Sequence, residues 1–143
     1  MSPEELDDFL GRERPARLGV VGTIRRDRSP QVSPVWYRWD GERVTVWAGE
    51  GRVWVENAKR DPRVAFSVQD EGWPFPAVIV RGRAQVETGP GSEIGDEIGD
   101  EIRRITRRYV AEERVDAYVA QWSHLRTIVT LHPERITSWP AAG

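Results

Sequence analysis

The chain contains no cysteine. Disulfides, thiolate nucleophiles and thiolate metal sites are therefore outside its repertoire. Histidine is nearly absent as well. His124 and His132 are the only imidazoles, too few to build a structural zinc site in a chain without cysteine. No apolar run approaches the roughly 20 residues that a membrane-crossing helix needs, and the first residues are acidic rather than basic and apolar. A cytoplasmic protein with no membrane partner is expected. Lysine occurs once, at Lys59, so the positive charge is almost all arginine. The net charge of −2 and pI near 5.8 offer no overall attraction to nucleic acid. There is no nucleophile elbow and no histidine-rich metal motif. Acidic residues gather on segments that read as helices, not on apolar strands where a carboxyl pKa would rise. No catalytic side chain and no metal ligand is assigned on this basis. Chemistry, if the protein performs any, is expected to belong to a bound cofactor, with the polypeptide supplying position, a dry slot and electrostatics.

What is present reads as one domain, residues 1–143. A chain of that length can bury roughly 68–70% of its unfolded surface. Ser2-Pro3-Glu4-Glu5 is a capping box with proline at the first helical position. Leu6, Phe9 and Leu10 share a helical face, and Gly11 ends the helix. Arg17–Arg25 predicts a strand with Leu18, Val20, Gly22 and Ile24 on one face, and Arg26–Ser29 a turn. Pro30–Trp39 follows as a second strand, with Ser33, Val35, Tyr37 and Trp39 opposite Val32, Pro34 and Trp36. Glu42–Ala48 is a third strand and Val53–Arg60 a helix, stopped by Asp61-Pro62 because the residue before proline avoids the α region. Arg63–Gln69 predicts a strand with Val64, Phe66 and Val68 inward, and Asp70–Pro76 a loop. Ala77–Thr88 is a long strand in which Gly82 marks a bend or bulge. The tandem EIGD-EIGD from Glu93 keeps helical phase through Ile94, Ile98, Ile102 and Ile105, extended by Tyr109. Gly95 and Gly99 weaken the start of that helix by about 1 kcal/mol each relative to Ala. A short helix at Glu113–Gln121 precedes strands at Leu125–Leu131 and Arg135–Trp139. Six to seven strands with two to four short helices make a mainly-β (α+β) domain, and hairpin-type connections favour an antiparallel sheet.

The stretch from Gln31 to Pro62 organises this pattern. Asp40-Gly41 lies between two alternating runs and predicts a two-residue hairpin turn with positive φ at both positions. Pro34 inside a strand implies an edge or a bulge. Gly49-Glu50-Gly51-Arg52 places backbone N–H groups and a guanidinium at a helix start, a candidate anion seat.

Gln31-Val32-Ser33-Pro34-Val35-Trp36-Tyr37, Asp40-Gly41, Gly51-Arg52, Asn57 and Arg60-Asp61-Pro62-Arg63-Val64-Ala65, continued by Ala77–Thr88 and Ile128–Pro140, resemble the pyridoxamine 5′-phosphate oxidase-like split β-barrel family. More narrowly, they resemble its branch that uses the deazaflavin coenzyme F420. The resemblance covers nearly the whole chain. It implies an FMN-binding-like split β-barrel, a homodimer with two cofactor sites shared between chains, and hydride transfer to a small planar or unsaturated molecule. It also implies site residues. Gln31, Ser33, Pro34, Val35 and Trp36 correspond to the ring-facing strand. Ala48, Gly49, Gly51, Arg52, Val53, Trp54 and Asn57 correspond to the phosphate-side loop and helix, with Arg52 matching a phosphate-binding arginine. Family members often carry Ser or Thr where this chain has Ala48, and Lys where it has Trp54. Each lost charge-assisted hydrogen bond is worth roughly 1.5–3 kcal/mol, so phosphate affinity drops by orders of magnitude unless Arg52, Lys59 or Arg60 compensates. Three readings stay open: an F420-dependent oxidoreductase, an FMN-binding oxidoreductase, and a non-catalytic dimer carrying a cofactor, haem or tetrapyrrole-like ligand. Of the seven tryptophans, Trp36, Trp54 and Trp73 are expected nearest the slot, and Trp47, Trp122 and Trp139 in the core.

Overall fold

The capping box at Ser2 starts the first helix. Glu5 N–H donates to the Ser2 hydroxyl, and Ser2 N–H donates to the Glu5 carboxylate. In the computed structural model, which describes residues 1–13, 15–49, 51–89, 97–121 and 126–140, this helix is α1, Pro3–Gly11. There follow β1 (Gly19–Ile24), β2 (Pro30–Val35), β3 (Tyr37–Trp39), β4 (Val44–Gly49), α2 (Val53–Arg60), β5 (Arg63–Gln69) and β6 (Ala77–Gly89). The chain ends with α3 (Glu97–Thr106), a single 3₁₀ turn (Glu112–Arg114), α4 (Val115–Ala120) and β7 (Arg126–Trp139). Within the expected third element the chain breaks: Trp36 separates β2 from β3. That break decides the architecture.

All seven strands form one antiparallel sheet in the order β2-β1-β5-β6-β7-β4-β3. The two edge strands, β2 and β3, are thus consecutive in the chain with one residue between them. A sheet whose first and last strands are joined through one residue must curl round on itself, and it does so as a split β-barrel. Inward positions alternate with outward ones, as the pleat demands. Val64, Phe66, Val68, Val78 and Val80 fill the interior as the sequence pattern predicts, with Val21, Tyr37, Val44, Val46, Val129 and Leu131. Burying each such side chain stabilises by about 1.5–3 kcal/mol. Phe9 and Leu10 of α1 plug one end. The Tyr37 hydroxyl donates to Leu10 O, and the buried Arg108 guanidinium donates to the carbonyls of Tyr37, Leu10 and Arg12. A smaller cluster of Ile102, Val115, Val119 and Ile128 seats α3 and α4 on the outer face of β4 and β7, with Trp47 against it. Arg38 of β3 grips Glu101 of α3 through two hydrogen bonds of 2.7 and 3.0 Å.

Several expectations are corrected. The Asp40-Gly41 turn is a four-residue loop, since Trp39 pairs with Val44. Only Gly41 has positive φ there, because the Asp40 carboxylate accepts from the N–H groups of Glu42 and Arg43 and fixes the turn from outside the backbone. The two C-terminal strands are one. Pro133 pairs with Gly82 beside a bulge in which Glu134 is the extra residue, so pairing resumes at Arg81 with Arg135. The face that Leu18, Val20, Gly22 and Ile24 share is the outward one, the buried positions of β1 being Gly19, Val21 and Thr23. Trp139 is 49% exposed instead of buried. Glu50, the EIGD start with Ile94 and Gly95, Trp122, His124 and Leu125 lie outside the described residues. His132 sits on the outer face, within 2.9 Å of Gln85 Oε1.

Candidate functional site

Where the barrel splits at Trp36, a cleft of about 360 Å³ opens, lined by Leu18, Pro34, Val35, Trp36, Trp47, Ala48, Gly49, Arg52, Trp54 and Tyr118. That volume lies at the small end of ordinary ligand sites. Five chain segments converge on it. β1 is preceded by Leu18, and β2 ends with Pro34 and Val35. The last turn of β4 brings Trp47 to Gly49. The N-terminus of α2 brings Arg52 and Trp54, and α4 brings Tyr118.

The convergence follows from local chemistry. Gly51, at φ 85°, turns the chain from β4 into α2, a left-handed conformation that costs a residue with a Cβ. Arg52 is the N-cap of α2, and its side chain makes no capping hydrogen bond. Arg52 thus brings a guanidinium to the cleft from the helix end whose first-turn N–H groups lack partners within the helix. Trp36 is backed by Tyr109, the two rings parallel within 8° at 5.0 Å. Tyr118 tilts against Trp36 at 5.3 Å and stands edge-on to Trp47 at 6.3 Å. Burial pushes the Tyr109 phenol up to about 12, its hydroxyl donating to Arg17 O at 2.7 Å. It is a neutral support behind the wall, not an acid within it.

Seven of the twelve residues anticipated from sequence line the cleft: Pro34, Val35, Trp36, Ala48, Gly49, Arg52 and Trp54. Gln31, Ser33, Gly51, Val53 and Asn57 do not. Asn57 is buried and donates to Thr23 Oγ1 at 3.2 Å and to Gln31 Oε1 at 2.9 Å. Its own carbonyl accepts from Arg60 at 2.9 Å. Asn57 thus pins α2 to β1 and β2, and Gln31 is part of the same scaffold. The compensating cations also resolve. Arg60 is held by Asn57 and Ile24 O, and Lys59 pairs with Glu56 at 3.1 Å. Of the three, Arg52 alone lines the cleft. Trp54 is buried against the core, so it offers the cleft little of its ring. Trp73 lies elsewhere, 83% exposed on the loop before β6, where it lines a groove against α1.

Sequence reasoning missed Leu18, Trp47 and Tyr118. Trp47 alternates away from Val46 and Ala48, which was a signal that it faces outside the barrel. Tyr118 gave none, since only tertiary packing brings α4 here. Among the described residues, the lining contains no carboxylate, imidazole or thiol. It can stack a flat molecule and hold an anion.

A family model described as pyridoxamine 5′-phosphate oxidase matches residues 2–140. The chain belongs to this family. Solved structures agree on the fold. One named as an F420 reductase is 29% identical with a TM-score of 0.68, over 92% of this chain and 94% of that one. A conserved hypothetical protein, Rv2991 from Mycobacterium tuberculosis, is 24% identical with a TM-score of 0.73, over 99% and 86%. An FAD-binding protein from Mesorhizobium loti is 19% identical with a TM-score of 0.63, over 96% and 92%. Among the described residues, no helix is long and apolar enough to cross a membrane.

Proposed function

We propose that this protein is an F420H2-dependent oxidoreductase that reduces a small planar or unsaturated molecule and works as a homodimer. One observation carries the reading: an aromatic cleft in which, among the described residues, Arg52 is the one charged lining side chain and no carboxylate, imidazole or thiol stands beside it. A bound deazaflavin supplies a hydride donor, and the residues present suit such a group. Arg52 and the start of α2 hold its phosphate. Trp36, stiffened by Tyr109, offers a flat wall. The apolar lining from Leu18 to Val35 keeps water away from the reacting carbon, as hydride transfer requires. Ala48 has no hydroxyl to offer a phosphate and Trp54 no ammonium. FMN, with its short tail, depends more heavily on those groups than the longer-tailed deazaflavin does.

The dimer rests on the outer face of the barrel. Pro34 pairs with Val20, Val20 with Ser67 and Ser67 with Ile79, so these residues form one outward row across β2, β1, β5 and β6. Leu18, Val20 and Ile79 are exposed large apolar residues, and Val32 is 71% exposed. Contiguous apolar surface of this kind marks an association site. Leu18 and Pro34 belong both to that face and to the cleft, so a second copy seated there would wall the cleft.

Colour and fluorescence test the reading. A colourless preparation whose tryptophan emission is quenched by added F420, with a sedimentation mass of two chains, supports it. A yellow preparation that releases FMN on heating replaces it with the flavin reading. Tight binding of haem or a tetrapyrrole, with no turnover of quinones or enones, replaces it with a carrier.

A further inference from the structure

We infer that the barrel end opposite the cleft is a docking surface, an arginine-rich sheet face that takes an acidic, extended segment of a partner protein. This surface is separate from the cleft and does not depend on the deazaflavin reading. Leu18 of the cleft precedes β1, and the 6 residues of that strand carry the chain about 20 Å to the turn at Arg25. There the β1–β2 turn, the last turn of α2, the start of β5 and the bulged middle of β6 and β7 come together. Arg60 of α2 donates to Ile24 O of β1, and Arg63 of β5 lies across from Arg83 of β6.

The positive charge at this end is unanswered. Arg81 faces Arg135 of β7, as Arg83 faces Arg63, and all four are exposed on the outer face. Like charges directly opposite one another on a sheet are destabilising. Elsewhere arginines meet carboxylates: Arg17 meets Asp70, Arg38 meets Glu101 and Arg103 meets Asp116. At this end Arg63 has Asp61. Among the described residues, the side chains of Arg81, Arg83 and Arg135 make no hydrogen bond and no ion pair. Arg25 donates to Ser29 and Pro30, and Arg60 to Asn57 and Ile24, all uncharged oxygens. The acids nearby are engaged, Asp27 by Ser29, Glu56 by Lys59 and Asp61 by Arg63, which leaves Glu134 on the bulge. A chain of net charge −2 thus gathers uncompensated cations at one end.

Geometry and composition select the occupant. β6 lies inside the sheet, paired on both sides, so a partner here is held by side chains and not by a free strand edge. Arg81 and Arg83 repeat at about 6.6 Å, the same repeat as alternate side chains of an extended peptide laid along β6. Each guanidinium fork can grip a carboxylate through two hydrogen bonds. A single-stranded nucleic acid needs aromatic platforms for its bases. Residues 24–32, 56–65, 81–85 and 132–136 contain no tryptophan, tyrosine or phenylalanine. The negative net charge also works against a long polyanion that overruns this end.

The test uses fluorescein-labelled hexaglutamate and labelled oligothymidylate, read by anisotropy on the full chain. Wild type binds hexaglutamate more tightly than oligothymidylate, and raised salt weakens the binding. Arg81→Glu combined with Arg135→Glu weakens hexaglutamate at least tenfold. Arg43→Glu combined with Arg104→Glu, the same change in net charge on exposed side chains elsewhere, weakens it less than twofold. Arg81→Gln combined with Arg135→Gln removes the cross-strand repulsion, so its thermal midpoint does not fall while its hexaglutamate affinity does. That pair keeps the test sharp if the glutamate pair folds poorly. No binding to wild type, or equal losses in the patch and control variants, overturns the inference. Tighter binding of oligothymidylate replaces the acidic protein with a nucleic acid. A patch variant that sediments at a lower mass than wild type assigns these arginines to contacts between copies of this chain, and the inference falls.

Discussion

Tyr109 lies flat behind Trp36, with ring centroids 5.0 Å apart, and it is tied at its far end to two separate strand regions. Its hydroxyl donates to Arg17 O at 2.7 Å and accepts from Tyr37 N–H at 3.3 Å. The residue that splits the barrel is thereby braced from the side away from the solvent. Tyr109→Phe keeps the ring and loses both hydrogen bonds, at a cost of about 1–3 kcal/mol, readable in urea denaturation. The phenol adds a pH signature. Its folded value of about 12 lies above the ordinary 10. The unfolded chain therefore ionises first as pH rises, and this contribution, complete below pH 10, is lost between pH 10 and 12. Wild-type stability falls more steeply over that window than Tyr109→Phe stability.

Arg52→Glu tests the anion seat. The side chain is exposed and makes no capping bond, so reversing its charge leaves the fold intact, within ~0.5 kcal/mol as for ordinary surface changes. Deazaflavin affinity falls at least tenfold by fluorescence titration. An unchanged dissociation constant removes Arg52 from the site.

Asn57 supplies the contrast. Asn57→Leu leaves Thr23, Gln31 and Arg60 without their shared partner, and the buried groups among them lose about 1–3 kcal/mol. The urea midpoint drops clearly, while deazaflavin affinity in the folded protein changes less than threefold. A large affinity loss at constant stability would return Asn57 to the cofactor's contacts.

These two residues show what could be read in advance. The boundaries of α2 and β5 were legible because Gly51, Asp61 and Pro62 punctuate them locally. Val64, Phe66 and Val68 were legible as core because the strand period is two. The role of Asn57 was not, because a polar residue on a helix looks the same from sequence whether it meets a ligand or two strands. Nor was the break at Trp36, which depends on the closure of the whole barrel. Which way the β1 stripe faces was not legible for the same reason. Local hydrophobicity does not say whether an apolar face meets its own core or a surface left open.

Asp61 carries the acid-side prediction. Its carboxyl is held down to about 2, first by the hydrogen bonds from the Arg63 side chain and then by the Arg63 N–H. A depressed carboxylate adds stability above its unfolded value near 4 and loses it as pH falls toward the folded value. Stability of the wild type therefore declines more between pH 4 and 2 than that of Asp61→Asn. Parallel acid titrations of the two, followed by circular dichroism, check it.

Gly82 bears the sharpest steric demand in the barrel. β6 bends there, and opposite it the β7 chain carries the Glu134 bulge. The carbonyl of His132 packs so closely on Gly82 that an added Cβ would collide with it, with Pro133 Cα also only 3.1 Å away. Both obstacles are backbone, so no rotamer change relieves them. One strand must move, and pairing must weaken on both sides of the bulge. Overpacking of this kind typically costs 1–3 kcal/mol. Gly82→Ala is expected to reach about 3 kcal/mol by urea denaturation, more than the Ala substitution at Gly11, where an added Cβ meets nothing within 4 Å. If Gly82→Ala unfolds at the wild-type midpoint, the bulge is not the fixed corner that closes this barrel.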